Sequence, residues 1–308
     1  MNMPIRWTSA QLLADATVAK GQFRVERIAE PLDLYNQFFT TFAAIFRDTI
    51  QRLPALSGDP VDAGEIAALV TGRNQRKAFR YLTAPPISED DLKAVADTTL
   101  APKVLKTDAA GAKRVRDTIL GIIDPHRFPW MVPPGRLPTI EETERAVIAS
   151  AALAAAREVE TQRRTTSKET QEAAVKATLT AFGMSEVPRR DIPILTAAPA
   201  PGEFCGESRI AGTRADVVAR LHSGRVMAIE CKVSNSSVNS YKRVVHDTGG
   251  KAAHWYQQLG QAQVIPCAVL SGVFLPANLL QVQNQGGVYL FWQHRLNDLA
   301  DFLGQPGA

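Results

Sequence analysis

Two acids and a lysine are the residues here best suited to chemistry. Asp216 lies in the run Thr213–Arg220, and Glu230 and Lys232 close the run Arg225–Lys232. Both runs read as β-strands from their Val, Ile and Ala content. Side chains alternate faces along a strand, so Glu230 and Lys232 project from one face. His222-Ser223-Gly224 can turn the two runs into a hairpin, which lets Asp216 join the pair. Two carboxylates bind a hard divalent cation through oxygen, and a lysine beside them can hold or deprotonate a water. That set suits metal-dependent hydrolysis of a phosphodiester. The second run also divides by parity: Met227, Ile229, Cys231 and Val233 form an apolar face, and Val226, Ala228, Glu230 and Lys232 form the other. The plain alternative is a strand leaving the core with its charged end solvated. The polar stretch Ser234–Ser240 and the helix expected after it weigh against that.

The elements that must position these residues follow in a definite order. Thr166-Ser167-Lys168-Glu169 has a capping pattern and is expected to open a helix running to Phe182. Strands are expected over 204–210, 213–221 and 225–233, a helix from about Asn239 to Leu259, strands over 264–270 and 287–292, and a short closing helix. The helix after 239 is a crossover that sets the fourth strand parallel to the third. The first half reads helical. Leu32, Tyr35, Phe38, Phe39, Phe42, Ile45, Phe46, Ile50 and Leu53 recur at three- and four-residue steps, and weaker patterns cover 62–71, 74–82, 88–97 and 111–123. Prolines 125, 129, 133, 134 and 138 interrupt regular structure and mark a boundary or an exposed functional loop. Thr139-Ile140-Glu141-Glu142 restarts the chain as a capping box, with a helix expected to about Arg163. The expected organisation is a mainly α-helical region over 1–138 and a catalytic domain over 139–308.

Composition sets the outer limits. A chain of 308 residues, 45% hydrophobic and 21% charged, can bury a sizeable core as a soluble protein. A net charge of +4 permits a nucleic-acid partner without demanding one. Cys205, Cys231 and Cys267 are too few and too widely spaced for a disulfide framework or a zinc site, so buried free thiols are expected. The N-terminus has no apolar signal region, and no apolar run approaches the roughly 18 residues of a membrane span. A cytoplasmic protein with no membrane partner is therefore expected. Thr248-Gly249-Gly250-Lys251 fails as a phosphate loop because alanine follows the lysine, and His246 and His254 lack a metal-site context.

Asp216…Glu230-Cys231-Lys232 in this element order resembles the PD-(D/E)xK nuclease superfamily, with Ala215 where the motif has proline. The stretch Glu230-Cys231-Lys232-Val233-Ser234-Asn235-Ser236, on through Arg243, is similar to the XamI-like family of type II restriction endonucleases. The resemblance covers roughly 165–293. It implies an α/β fold with a restriction-endonuclease-like core: helix, three-strand meander, crossover helix and strand, in a mixed sheet. It implies Asp216 and Glu230 as Mg²⁺ ligands, the Cys231 carbonyl as a third, and Lys232 on the attacking water. It also implies a further acid from the preceding helix, Glu172 or Glu169. The reaction it implies is cleavage of double-stranded DNA at a short palindrome, leaving 5′-phosphate and 3′-hydroxyl ends. The family's name-giver reads GTCGAC. A palindrome read by one polypeptide implies a homodimer, and restriction implies a cognate DNA methyltransferase.

DNA contacts are expected from the loop and helix after the site: Ser234, Asn235, Ser236, Asn239, Tyr241, Lys242, Arg243 and Lys251. Hydroxyls, amides and a helix N-terminus suit phosphate oxygens. Arg214 and Arg220 flank Asp216 and can hold the scissile phosphate or balance the acids. Base reading needs Arg, Lys, Asn or Gln at base edges. The proline-rich loop offers Arg127, with His126 and Arg136, beside Phe128 and Trp130. Asn74-Gln75-Arg76-Lys77 and Lys113, Arg114 and Arg116 are further clusters, although most charge runs of this kind are solvated faces. Two other readings stay open: a structure-specific repair or recombination nuclease, and a non-catalytic DNA-binding module on the same core.

Overall fold

A computed structural model describes residues 2–29, 32–56, 58, 60–133 and 135–307; Pro134 of the proline-rich loop lies outside them. Its helices are α1 (Ser9–Ala29), α2 (Leu32–Leu56), α3 (Ala63–Leu69), α4 (Arg73–Arg80), α5 (Glu89–Val95), α6 (Pro102–Leu105), α7 (Ala109–Gly121), α8 (Ile140–Ala181), α9 (Ser237–Ser240), α10 (Gly249–Leu259), α11 (Pro276–Asn284) and α12 (Asn297–Leu303). Its strands are β1 (Ser185–Glu186), β2 (Asp191–Ile192), β3 (Glu203–Cys205), β4 (Ser208–Ile210), β5 (Thr213–Ala215), β6 (Val217–Arg220), β7 (Val226–Ser234), β8 (Val264–Gly272) and β9 (Tyr289–Trp292). Two compact units form: Met1–Glu30 with Arg163–Ala308, and Pro31–Gln162.

The first unit is built on a six-stranded mixed sheet in the order β1-β3-β6-β7-β8-β9. β6 and β7 pair antiparallel as the expected hairpin, with Val217 opposite Ile229. Gly224 makes that turn possible at φ +86°, a region that favours glycine. β7 and β8 run parallel from Val226–Val264 to Ser234–Gly272, so the helical stretch 237–259 is the crossover. Both faces of β7 are buried, as parallel pairing requires. Met227, Ile229 and Cys231 pack with Val175 and Leu179 of α8 and Leu299 and Phe302 of α12. Val226 and Ala228 pack with Trp255 of α10. The strands close tightly at their ends: a Cβ on Gly272 would stand 2.3 Å from the Ser234 carbonyl oxygen, so β8 can finish there only with glycine. β2, β4 and β5 form a separate three-stranded sheet. The restriction-endonuclease-like arrangement expected from the sequence is the one adopted.

The second unit is a helical core around Phe42, Phe46, Ile50 and Leu53 of α2, joined by Ile66, Phe79, Val115 and Val147. Leu32, at the head of the predicted stripe, is instead 73% exposed. The proline-rich stretch is exposed at Pro125, His126, Pro129, Pro133 and Arg136, but two of its aromatic side chains turn inward. Phe128 and Trp130 are buried and stack edge to face at 5.7 Å, so their apolar area serves this core. The capping box at Thr139 is present: Glu142 Oε2 accepts from Thr139 N at 2.9 Å, and Thr139 Oγ1 accepts from Glu142 N at 3.2 Å. Hydrogen bonds from Arg136 and Thr139 hold the Glu142 carboxyl down to about 2. Thr139→Ala is expected to lower stability by about 1 kcal/mol in a denaturant melt; an unchanged midpoint would mean the cap contributes nothing.

Three expectations change. The helices predicted as 139–163 and 166–182 are one helix, α8, of 42 residues. Thr165, Thr166 and Ser167 have low helix propensity, but no Gly or Pro stands between them to break the helix. The compact units divide within α8 and not at 138/139, because Met1–Glu30 belongs with the strands. Trp7 carries that attachment: its Nε1 donates to Leu290 O at 2.7 Å, and Gln283 Nε2 donates to its carbonyl at 2.9 Å. Finally, the strand predicted over 213–221 is broken at Asp216 into β5 and β6.

Candidate active site

That break is what positions the first acid. Asp216 sits where the chain leaves the small sheet and enters the large one. Its N–H donates to Ile229 O at 3.0 Å, and its Oδ2 accepts from Cys231 N at 2.7 Å. The carboxylate is therefore tied to the backbone between Glu230 and Lys232. A charge-assisted hydrogen bond of that kind fixes the place of the carboxylate.

Around this anchor lie four carboxylates, of Asp216, Glu172, Glu207 and Glu230, and three ammonium groups, of Lys168, Lys232 and Lys251. Glu230 has a side chain only 1% exposed, yet each of its oxygens has a cation: Lys232 Nζ at 2.5 Å and Lys251 Nζ, from α10, at 2.7 Å. Lys251 also donates to Arg214 O at 2.8 Å. Lys168, from α8, lies 3.0 Å from Asp216 Oδ1, 3.2 Å from Glu172 and 3.7 Å from Glu207. A buried carboxylate without a partner would cost several kcal/mol; here each has one. Helix α8 is held in place one turn from Lys168 by buried Gln171, which donates to Val269 O of β8 at 3.1 Å.

The local field follows from this packing. Burial, and then the charge of Asp216, push the Glu172 carboxyl up. Burial opposes the Lys168 ammonium, but the Asp216 hydrogen bond and charge, with Glu172, hold it above its usual range. Burial and the carboxylates of Asp216, Glu172 and Glu230 push the Cys231 thiol up, so it is inert as a nucleophile. Cys205, Cys231 and Cys267 are all buried and free. A cleft of about 630 Å³ opens beside the site, lined by Ser167, Lys168, Cys231, Asn235 and Arg243.

Other predicted residues lie as follows. Ser234 is buried and donates to Ser236 O at 2.9 Å, while Ser236 Oγ caps α9 by accepting from Asn239 N at 3.3 Å. These two serines shape the loop. Asn235, Asn239, Tyr241 and Lys242 are exposed. The crossover is not one plain α-helix: Tyr241–Thr248, which holds Arg243, is π-helical, and Thr248 Oγ1 donates to Arg243 O at 2.9 Å. Such segments are rare and concentrate at functional sites. Arg214 is exposed and pairs with Glu207 at 3.5 Å. Arg220 instead donates to Gly224 O at 3.2 Å and Pro199 O at 3.3 Å, bracing the hairpin. Glu169 is exposed, which leaves Glu172 as the helix acid next to Asp216.

Arg127 is a correction. Its guanidinium holds Asp124 at 2.6 Å, Tyr81 O at 2.8 Å, Thr83 O at 3.0 Å and Ser150 Oγ at 3.0 Å. It is a clamp inside the helical unit and not an exposed base reader. The other basic clusters are similarly engaged. Lys77 pairs with Glu158 at 2.5 Å, Arg76 with Glu89 at 2.9 Å, and Arg116 donates to Leu56 O at 3.1 Å and Gly58 O at 2.8 Å.

Lys168 and Glu207 escaped the sequence reading. Lys168 is visible there only through its i,i+4 spacing to Glu172, which on its own signals an ordinary helix face. Among the described residues no group of three His, Cys, Asp or Glu side chains is arranged as a metal cage. No helix among them is long and apolar enough to cross a membrane.

Fold and site together define a mixed α/β protein with a restriction-endonuclease-like core and a carboxylate–lysine cluster at the end of its central strands. The chain belongs to the XamI restriction endonuclease family, whose model matches residues 59–292. It is 42% identical over 264 residues to the type II restriction enzyme XamI of Xanthomonas campestris pv. amaranthicola, covering 85% of this chain and 95% of that one. No solved structure matches the chain.

Proposed function

We propose that this protein is a type II restriction endonuclease of the PD-(D/E)xK kind, hydrolysing double-stranded DNA at a short palindrome with Mg²⁺. The observation that supports this reading is the hydrogen bond from Cys231 N to Asp216, which ties the Asp216 carboxylate to the backbone between Glu230 and Lys232. The family and the XamI relative support the same class of activity.

The donor set fits the metal. Mg²⁺ takes one or two carboxylates and completes its shell with waters and phosphate oxygens, so a three-residue cage is not needed. Asp216 and Glu230 would hold it, with the Cys231 carbonyl as a further oxygen. When bound, the ion lowers the pKa of a water and neutralises charge on the phosphate. The chain's own groups do the rest. Lys232 orients the attacking water and stabilises the charge that develops on the pentavalent phosphorus. Lys168 and Lys251 hold Asp216 and Glu230 in place through their ion pairs. Glu172 shares Lys168 with Asp216 and shapes the field on the α8 side. Asn235, Asn239, Tyr241, Lys242 and Arg243 take phosphate oxygens along the cleft rim, and the helical region reads bases or builds a homodimer. The products carry 5′-phosphate and 3′-hydroxyl ends, and a cognate methyltransferase protects host DNA.

Incubation with phage DNA and Mg²⁺, followed by sequencing of the ends, tests this. Discrete fragments are expected, and GTCGAC is the first target to try. Nicking governed by DNA structure would instead indicate a repair or recombination nuclease, and binding without cuts a non-catalytic module.

A further inference from the structure

We infer that the exposed face of the small sheet is a docking surface for the phosphate backbone of duplex DNA, with Arg189, Arg190 and Arg209 as contacts beside Arg214. The inference rests on the DNA-nuclease reading above and extends its binding surface beyond the loop after β7.

The sheet has two unlike faces. Ile192, Ile210 and Ala215 are buried and pack with Trp255 and Val264. Between them in the alternation, Asp191, Arg209 and Arg214 point outward. The register places Asp191 opposite Arg209 and Arg209 opposite Arg214, so the three form one row across the strands. Arg189 and Arg190, just before β2, are exposed and line a concavity of about 440 Å³ with that row.

The charge of this face is unbalanced. Four guanidinium groups meet only Asp191 and Glu207, and Glu207 is already approached by Lys168 at 3.7 Å. Among the described residues Arg189, Arg190 and Arg209 make no ion pair, whereas Arg76, Arg116 and Arg127 are all engaged within the protein. Arg209 and Arg214 stand directly opposite each other, an arrangement that destabilises a strand pair. An anionic partner with repeated charge relieves that repulsion. The guanidinium fork matches phosphate oxygens, which makes arginine the fitting residue for such a partner.

Position selects DNA over any other polyanion. Arg214 is two residues before Asp216, and its carbonyl accepts from the Lys251 ammonium that also holds Glu230. Two residues of extended chain span about 7 Å, roughly two phosphate steps along one strand of the duplex axis. Arg209 lies one strand further, about 5 Å on. The row thus leads away from the catalytic carboxylates on the length scale of the backbone that runs through them.

The test measures binding of the full-length protein to a duplex in EDTA across a salt series. Replacing Arg189, Arg190 and Arg209 together by alanine is expected to make the slope of log K against log salt shallower by about 0.9 per contact, on the order of 2.7 in all. Binding should weaken alike for every sequence, and the cut sites should stay the same. The same three positions changed to lysine should keep the slope, because charge is conserved. All three side chains are exposed, and a thermal melt checks that the variants fold. A triple alanine variant with the wild-type slope, in a protein that cuts DNA, overturns this surface and leaves the nuclease reading intact. A wild-type protein that neither binds nor cuts DNA overturns both.

Discussion

Lys232→Ala is expected to lower single-turnover DNA cleavage roughly a hundred- to a thousand-fold, the usual effect of removing one group that stabilises transition-state charge. The substitution should leave the protein folded. Glu230 would lose the ammonium at 2.5 Å from Oε2 but keep Lys251 at 2.7 Å from Oε1. Its carboxylate therefore does not become an unpaired buried charge, and the Lys232 side chain, at 15% exposure, already reaches solvent. Melting should shift by no more than the ~1 kcal/mol of an average point change. Binding to duplex DNA in EDTA should hold near the wild-type level. A loss of cleavage with stability and binding retained assigns Lys232 to the chemistry. Cleavage at the wild-type rate would remove it from the site, whatever the geometry around Glu230.

Arg127→Met should act in the opposite way. Methionine fills much of the volume but removes every donor. Asp124, only 15% exposed, would lose its ion pair, and Tyr81 O, Thr83 O and Ser150 would lose their partner. Breaking a buried pair from one side costs about 3–5 kcal/mol, a large part of the 5–15 kcal/mol that holds a typical protein folded. A denaturant or thermal melt should show the loss, while the DNA sequence cut by the folded fraction stays the same. If stability is unchanged and cut sites shift, Arg127 is a base reader after all. The contrast separates two arginines of equal prominence in the sequence. Arg127 is enclosed, whereas Arg214 is 64% exposed beside the candidate site.

Much of the candidate site was legible because it is local. The period-two pattern of β7, its apolar and charged halves, the turn at Gly224 and the crossover after Lys232 all depend on residues close together in the chain. The Thr139 capping box was legible for the same reason. Longer reach defeated the reading elsewhere. Thr166–Glu169 has the composition of a helix start, yet it lies inside α8, because a capping pattern does not require a break. Phe128 and Trp130 sit in a largely exposed proline-rich stretch, yet both are buried, because they pack with residues far away in the chain. α1 went unnoticed because its buried stripe is short, Leu12, Ala16 and Ala19, and packs with Trp292 and Leu290, far away in the chain.

By itself, then, the sequence determined the strand that carries Glu230 and Lys232, the hairpin that brings Asp216 beside it, and the oxygen-and-ammonium chemistry the three residues offer. Strand periodicity and turn conformation are properties of neighbouring residues. The tertiary structure alone decided that Asp216 stands at the break between two sheets, that Lys168 and Lys251 complete the charge pairing, and which arginines are engaged within the protein and which are exposed. Those outcomes depend on which distant groups share a buried, low-dielectric space, and only the packed fold fixes that.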